Sequence, residues 1–249
     1  TFAWSGPGGF TATTATTNVA LPGAYTLTVT NPVNGCTSTA TVNVIQNIAT
    51  PGASASVSGS LTCITTSVTL TGSSATPGVT FSWSGPGSFS ATTATATVTL
   101  PGTYTLTVTN PVNGCTSTAT VNVIQNIATP GATASVSGPL TCTTTTATLT
   151  GSSPTAGVTF SWSGPGSFSA TTAVTTTTVP GTYTLTVTNP VNGCTSTASV
   201  TVIQNIATPG ATATVSGPLT CATTSVTLTG SSATAGVTFS WSGPGSFTA

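Results

Sequence analysis

Residues 101–110 read Pro-Gly-Thr-Tyr-Thr-Leu-Thr-Val-Thr-Asn. In an extended chain Tyr104, Leu106 and Val108 point to one side and Thr105, Thr107 and Thr109 to the other. Such alternation marks a strand with one face in a core and one in water. Pro-Gly before it and Asn-Pro-Val-Asn-Gly after it (110–114) are turn residues. The second of these makes a hairpin loop, and Ala119, Val121 and Val123 continue the inward row on the return.

The same period of two runs through the preceding fifty residues. Ala53, Ala55 and Val57 oppose Ser54 and Ser56, and Val68 and Leu70 lie between Ser67, Thr69 and Thr71. Val79, Phe81 and Trp83 share a face opposite Thr80 and Ser82. After the turn Ser-Gly-Pro-Gly-Ser-Phe (84–89), Ala94, Ala96, Val98 and Leu100 alternate with Thr. Six or seven short strands separated by Gly, Pro and Asn turns, with no helical periodicity, predict an all-β sandwich.

This unit repeats. Trp4, Trp83, Trp162 and Trp241 are spaced 79 residues apart, and so are Cys36, Cys115 and Cys194, and Cys63, Cys142 and Cys221. Residues 51–129 and 130–208 agree at 66 of 79 positions without a gap. A period of 79 is too long for one coil of a solenoid and suits a small sandwich domain. The expected domains are the C-terminal part of a repeat at 1–50, repeats at 51–129 and 130–208, and the N-terminal part of a repeat at 209–249. The first and last residues fall in the same phase, so the chain reads as a window of about three periods from a longer array, with Thr1 not a native start.

The chain contains no Lys, Arg, Asp, Glu or His, where an average domain of its length has roughly sixty charged residues. That composition argues against an enzyme. General acid–base work needs a group titrating near the working pH, and only Cys and Tyr remain. Serine and cysteine nucleophiles lack their base. No carboxylate exists for calcium or magnesium, and no His or close cysteine pair for zinc, so the expectation is no metal and no cofactor. Nucleic acid has no cation to meet it, and no apolar run reaches the roughly 18 residues of a membrane helix. With 37% hydrophobic residues the chain still has a core to bury. Zero net charge leaves nothing to keep copies apart, which predicts a homo-oligomer or a filament of identical chains.

Three stretches carry a resemblance. Residues 101–110, Asn-Gly-Cys-Thr-Ser-Thr-Ala at 113–119, and Trp-Ser-Gly-Pro-Gly-Ser-Phe at 83–89 resemble immunoglobulin/PKD-like repeats. Repeats of that kind fill giant surface adhesins of gliding Bacteroidota exported by the type 9 secretion system, and the grappling filaments of predatory marine gliders are among them. The resemblance covers every repeat and implies tandem immunoglobulin-like sandwiches in an extracellular, cell-surface protein. It implies no ligand site, and the calcium binding of some relatives is not carried over, because Asn110 stands where they have Asp. In such sandwiches a tryptophan is buried on the third strand and a tyrosine forms a corner at the sixth. Trp4, Trp83, Trp162 and Trp241 and Tyr25, Tyr104 and Tyr183 are therefore read as core rather than as a stacking platform for sugar or peptide.

The six cysteines leave three spacings open: 27 (Cys36 to Cys63), 52 (Cys63 to Cys115) and 131 (Cys63 to Cys194). Within an immunoglobulin-like domain Cys63 and Cys115 belong to loops at opposite poles, too far apart for a bond that needs Cα atoms within about 7 Å. One pair per repeat nevertheless makes an internal bond the simplest arrangement. Bonds between repeats or chains fit if neighbours pack end to end, and reduced thiols are the third possibility. All of Cys36, Cys63, Cys115, Cys142, Cys194 and Cys221 are disulfide candidates, and an extracellular setting favours oxidation.

The outward faces are Thr, Ser and Asn, a neutral solvated surface of high β-propensity. Flat threonine arrays for ice binding are poorly served by a twisted sandwich, and strict alternation argues against a mucin-like stalk. Two functions compete. One is a structural segment of a self-associating filament or adhesin stalk, with any cell-surface target met by another part of the protein. The other is a module that binds a glycan or cell surface directly. A binder diversifies its loops, whereas here 84–89 and 110–114 recur almost unchanged and the differences gather at 93–100 and 172–179.

Overall fold

A computed structural model describes residues 1–249. The chain forms two units, Thr1–Ile127 and Ala128–Ala249. No helix is long and apolar enough to cross a membrane.

The first unit begins with β1 (Phe2–Gly6), β2 (Phe10–Ala12), β3 (Gly23–Thr30) and β4 (Thr37–Val44), joined in one antiparallel sheet of order β2-β1-β3-β4. A complete sandwich follows. Its strands are β5 (Ser54–Val57), β6 (Leu61–Thr62), β7 (Val68–Ser73), β8 (Thr80–Gly85), β9 (Phe89–Ala91), β10 (Thr95–Val98), β11 (Gly102–Thr109), β12 (Thr116–Val123) and β13 (Gln125–Asn126). One sheet has the order β10-β7-β5 and the other β12-β11-β8-β9, all antiparallel. A short parallel pair, β6 with β13, joins the start of the domain to its end. This arrangement is an immunoglobulin-like sandwich. Where antibody domains carry a disulfide cysteine two residues after the corner tyrosine, this chain has Leu106, paired with Trp83 across β11 and β8 and wholly buried.

The period-two rows become the core. Val68, Leu70, Trp83, Val98, Tyr104, Leu106, Val108 and Val123 pack together with Leu61. Burying each such aliphatic or aromatic side chain contributes roughly 1.5–3 kcal/mol. Two expected members fall outside. β10 ends at Val98, so Ala94 and Leu100 are exposed, Leu100 at 47%. Leu100 lies over the turn instead: a methyl group placed on Gly87 would meet its Cδ1 at 2.8 Å. The strands β6, β9 and β13, of two or three residues each, are too short to show alternation.

The turn and the corner tyrosine form one cluster. The Tyr104 hydroxyl donates to the Leu100 carbonyl at 2.9 Å, as Tyr25 does to Leu21 and Tyr183 to Val179, both at 2.8 Å. Phe89 packs edge-on against the Tyr104 ring at 5.3 Å between centroids, the favourable aromatic geometry. A Cβ on Gly85 would sit 2.3 Å from Tyr104 Cδ1, so only glycine lets the ring lie on the backbone. The Trp83 and Trp162 Nε1 groups are buried without a partner, which costs about 1–3 kcal/mol each. In the first sheet Trp4 Nε1 donates to the Thr14 carbonyl at 3.1 Å.

The second unit repeats the plan with β14 (Thr133–Val136), β15 (Leu140–Thr141), β16 (Ala147–Ser152), β17 (Thr159–Gly164), β18 (Phe168–Ala170), β19 (Val174–Thr177), β20 (Gly181–Thr188), β21 (Thr195–Val202) and β22 (Gln204–Asn205). Its sheets are β14-β16-β19 and β18-β17-β20-β21, closed by the parallel pair β15 and β22. Thr177 stands where the earlier repeat has Val98, and its buried hydroxyl hydrogen-bonds that of Tyr183 at 2.5 Å. Residues beyond this sandwich form only two small ladders, β23 (Thr212–Val215) with β24 (Leu228–Ser231) and β25 (Ser242–Gly243) with β26 (Phe247–Thr248). Trp83 and Trp162 are 1% exposed and the three tyrosines at most 2%. Trp4 and Trp241 are half-buried, because no complete sandwich surrounds them.

Gly85→Ala is expected to destabilise its domain by about 1–3 kcal/mol through overpacking against Tyr104. Gly59→Ala, which meets nothing within 4 Å, is the neutral control, both read from equilibrium melts. Burial pushes the Tyr104 phenol up, so the folded state favours its neutral form. That stability is complete below the unfolded value near 10 and is lost as pH rises through the higher folded one. Melting temperature is therefore expected to be flat from acid to mildly alkaline pH and to fall only above about pH 10.

Candidate functional site: the hairpin at the repeat junction

The hairpin between β11 and β12 is built by its two asparagines. Asn110 Oδ1 accepts from the Val112 amide at 3.0 Å, and the Gly114 amide donates to the Asn110 carbonyl at 2.8 Å. Gly114 sits at φ 72°, the left-handed geometry that the turn needs. Asn113 Oδ1 accepts from the Cys115 amide at 3.0 Å. The other end of the same side chain reaches outside its domain: Asn113 Nδ2 donates to Asn47 Oδ1 and to the Ala49 carbonyl, both at 3.0 Å. Asn47 and Ala49 belong to the segment linking β4 to β5, so this amide fastens the linker that precedes its own domain.

The second unit holds the same device. Asn192, fully buried, donates to the Ala128 carbonyl at 2.9 Å and accepts from the Cys194 amide at 3.0 Å. In the first sheet Asn34 accepts from the Cys36 amide at 3.1 Å, and the hairpin is exposed, with Val33 at 92%.

The other pole of each sandwich carries the second set of cysteines. In the first complete sandwich the Leu61 amide donates to the Ile124 carbonyl at 3.0 Å, setting β6 beside β13. Thr62 Oγ1 accepts from the Ile64 and Thr65 amides, at 3.3 and 2.9 Å, forming the turn that contains Cys63. In the second unit a groove of about 620 Å³ opens at the same pole, lined by Leu140, Thr141, Cys142, Thr145, Thr178, Gln204 and Ile206. Cys63 and Cys194 are disulfide-bonded, whereas Cys36, Cys115, Cys142 and Cys221 are free thiols. A further cavity of about 580 Å³, lined by Val226, Leu228, Trp241 and Phe247, is the uncovered apolar face of the last strands.

Sequence reasoning identifies Asn110–Gly114 as a turn but not Asn113 as a clamp, since both uses of Asn look alike in sequence. The signal is the identical recurrence of Pro-Val-Asn-Gly-Cys at 32–36, 111–115 and 190–194.

No protein-family model and no curated protein matches the chain. Among solved structures it is similar to three N-terminal domains of the outer capsid protein Hoc of bacteriophage RB49, at 17% identity over 74% of this chain and 68% of that one, TM-score 0.35. It is also similar to a 1.5-MDa bacterial ice-binding adhesin, at 15% identity over 74% of each chain, TM-score 0.45. A third is immunoglobulin domains 1–5 of Sidekick-1, at 14% identity over 87% of this chain and 55% of that one, TM-score 0.30.

Asn113→Ala removes two neutral hydrogen bonds to the linker and one within the turn, at about 1 kcal/mol each. The expected outcome is faster amide exchange at Cys115 and across residues 45–50, with the amides of β8 and β11 unchanged. Uniform protection throughout would show that the clamp contributes nothing.

Proposed function

We propose that the chain is a structural repeat segment of an extracellular filament or adhesin stalk that self-associates and projects from the cell surface to attach to other cells. The observation that supports it is the recurring clamp, in which an asparagine of one domain fastens the linker before it. A loop built to hold its neighbour is a loop withheld from ligands, and it recurs without diversification. The Bacteroidota lineage, type 9 export and grappling role belong to this proposal through the resemblance of residues 83–89, 101–110 and 113–119. An oxidised cysteine pair fits an extracellular setting.

Self-association rests on neutral contacts in this reading. Val33, Val112 and Val191 at the hairpin tips are 92%, 83% and 79% exposed, and Ile45, Ile124 and Ile203 are 82%, 57% and 61% exposed. The chain carries no side-chain charge to screen. Electron microscopy with sedimentation of the purified chain tests the proposal. Associated particles that persist from low salt to about 1 M NaCl, where the Debye length is about 3 Å, are expected. Single chains at every concentration, or association lost on adding salt, would overturn it. Retention of the monomeric chain on a glycan or cell surface would favour the direct-binding module.

A further inference from the structure

Asn34, Asn113 and Asn192 are followed by Gly, and every other asparagine in the chain by Pro, Val or Ile. The difference is chemical. The backbone nitrogen after an asparagine attacks the side-chain amide carbon readily only where that nitrogen is unhindered. Pro has no N–H to give up, and the branched Cβ of Val or Ile crowds the approach. Gly has no Cβ, and a methyl group placed on Gly35 or Gly114 would meet nothing within 4 Å. The turn also activates the carbon under attack. The Cys36 amide donates to Asn34 Oδ1 at 3.1 Å, and the Cys115 and Cys194 amides donate to Asn113 and Asn192 Oδ1 at 3.0 Å. Each donor points at the oxygen on which negative charge develops during attack. We propose that the three Asn-Gly hairpins are sites of spontaneous deamidation, and that the clamp on the preceding linker gates the reaction.

Water is the only co-reactant. The Gly nitrogen bonds to Cγ of the asparagine, Nδ2 departs as ammonia with the proton that the Gly amide gave up, and a cyclic imide remains. Hydrolysis at either imide carbonyl consumes one water and leaves aspartate or isoaspartate. Before it attacks, the Gly nitrogen has to leave a hydrogen bond of its own. The Gly35 amide donates to the Asn31 carbonyl at 2.9 Å, and the Gly114 and Gly193 amides donate to Asn110 and Asn189 at 2.8 Å. The turn therefore opens first, and the hairpins differ in what resists opening. Asn34 is exposed, and the bond from the Cys36 amide is the one its side chain makes. Asn113 Nδ2, the nitrogen that must depart, is held by Asn47 Oδ1 and the Ala49 carbonyl, both at 3.0 Å. Asn192 Nδ2 is held by the Ala128 carbonyl at 2.9 Å. The product cannot restore the clamp. A carboxylate at position 113 has no donor for those two oxygens and sets a negative charge against them, the first side-chain charge in the chain. A linker released long enough for conversion is thus released for good.

The test incubates the full chain in mildly alkaline buffer, once native and once in urea. Isoelectric focusing reads the reaction directly, since each event adds one negative charge to a chain with none on its side chains. Mass spectrometry of reduced peptides assigns the position, with chymotrypsin as the protease because there is no Lys or Arg for trypsin. In urea the three hairpins share the sequence Pro-Val-Asn-Gly-Cys and are expected to convert at one rate. In the native chain Asn34 is expected to convert first. Asn113 should be slower by roughly 10- to 100-fold, the factor that two neutral hydrogen bonds supply. Asn47→Ala removes one acceptor of the clamp and should speed conversion at Asn113 severalfold, while Asn34 keeps its rate. Asn34→Gln should remove the first acidic band. A native chain in which none of the three converts, while the urea sample does, would overturn the sites. Equal native rates at Asn34 and Asn113, or no change at Asn113 in the Asn47→Ala chain, would overturn gating by the clamp. None of these readouts depends on association between chains, so this inference and the stalk reading can fail independently.

Discussion

No side chain in this protein carries a formal charge, and that constraint shapes everything above it. Between side chains, non-covalent cohesion comes from apolar burial and neutral hydrogen bonds, with a disulfide at Cys63 and Cys194 beside them. Burial supplies the larger part, through strands whose alternate residues face a shared interior. The outward residues therefore need to be polar without being ionic, and Thr meets that need while fitting a pleated strand well. Thr26 and Thr41 show the outcome on adjacent strands, with hydroxyls 3.1 Å apart on the water-facing side.

Under that constraint the aromatic cluster gives each domain its specificity. Tyr104 spans two roles, with its ring in the core and its hydroxyl closing the loop at Leu100. The ring reaches that position only because Gly85 presents bare backbone to it and Phe89 folds back against its edge. Trp-Ser-Gly-Pro-Gly-Ser-Phe and Pro-Gly-Thr-Tyr are thus two halves of one packing solution. Their joint recurrence along the chain reflects physical dependence of each on the other. The replacement of Val98 by Thr177 shows how little freedom remains, since the new hydroxyl is buried and goes directly to the tyrosine oxygen.

The long strands were legible in sequence because alternation over six to eight residues has no other simple meaning. β7, β8, β11 and β12 lie where Val68, Phe81, Leu106 and Val121 place them. The pairs β6 and β13 were not legible, since two residues carry no period and their pairing joins segments over sixty positions apart. Leu100 looked like the end of an inward row, but the strand stops first and the side chain turns onto the neighbouring loop. Asn113 read as turn chemistry because its local hydrogen bond is a turn bond, and its second task appears only once the preceding linker is folded beside it. The cysteines stayed ambiguous for a related reason. Spacing counts residues, whereas bonding depends on which pole of a sandwich each loop occupies.

The parallel pair of β6 and β13 has a consequence for load. Pulling the two ends of a domain apart draws β6 and β13 along their own axes in opposite directions. The hydrogen bonds between them, together with that from the Leu61 amide to the Ile124 carbonyl, are then strained side by side. They share the force and must yield together, unlike a hairpin opened one bond at a time. A domain closed in this way resists tension in proportion to a whole patch of backbone, even where that patch is only two residues long.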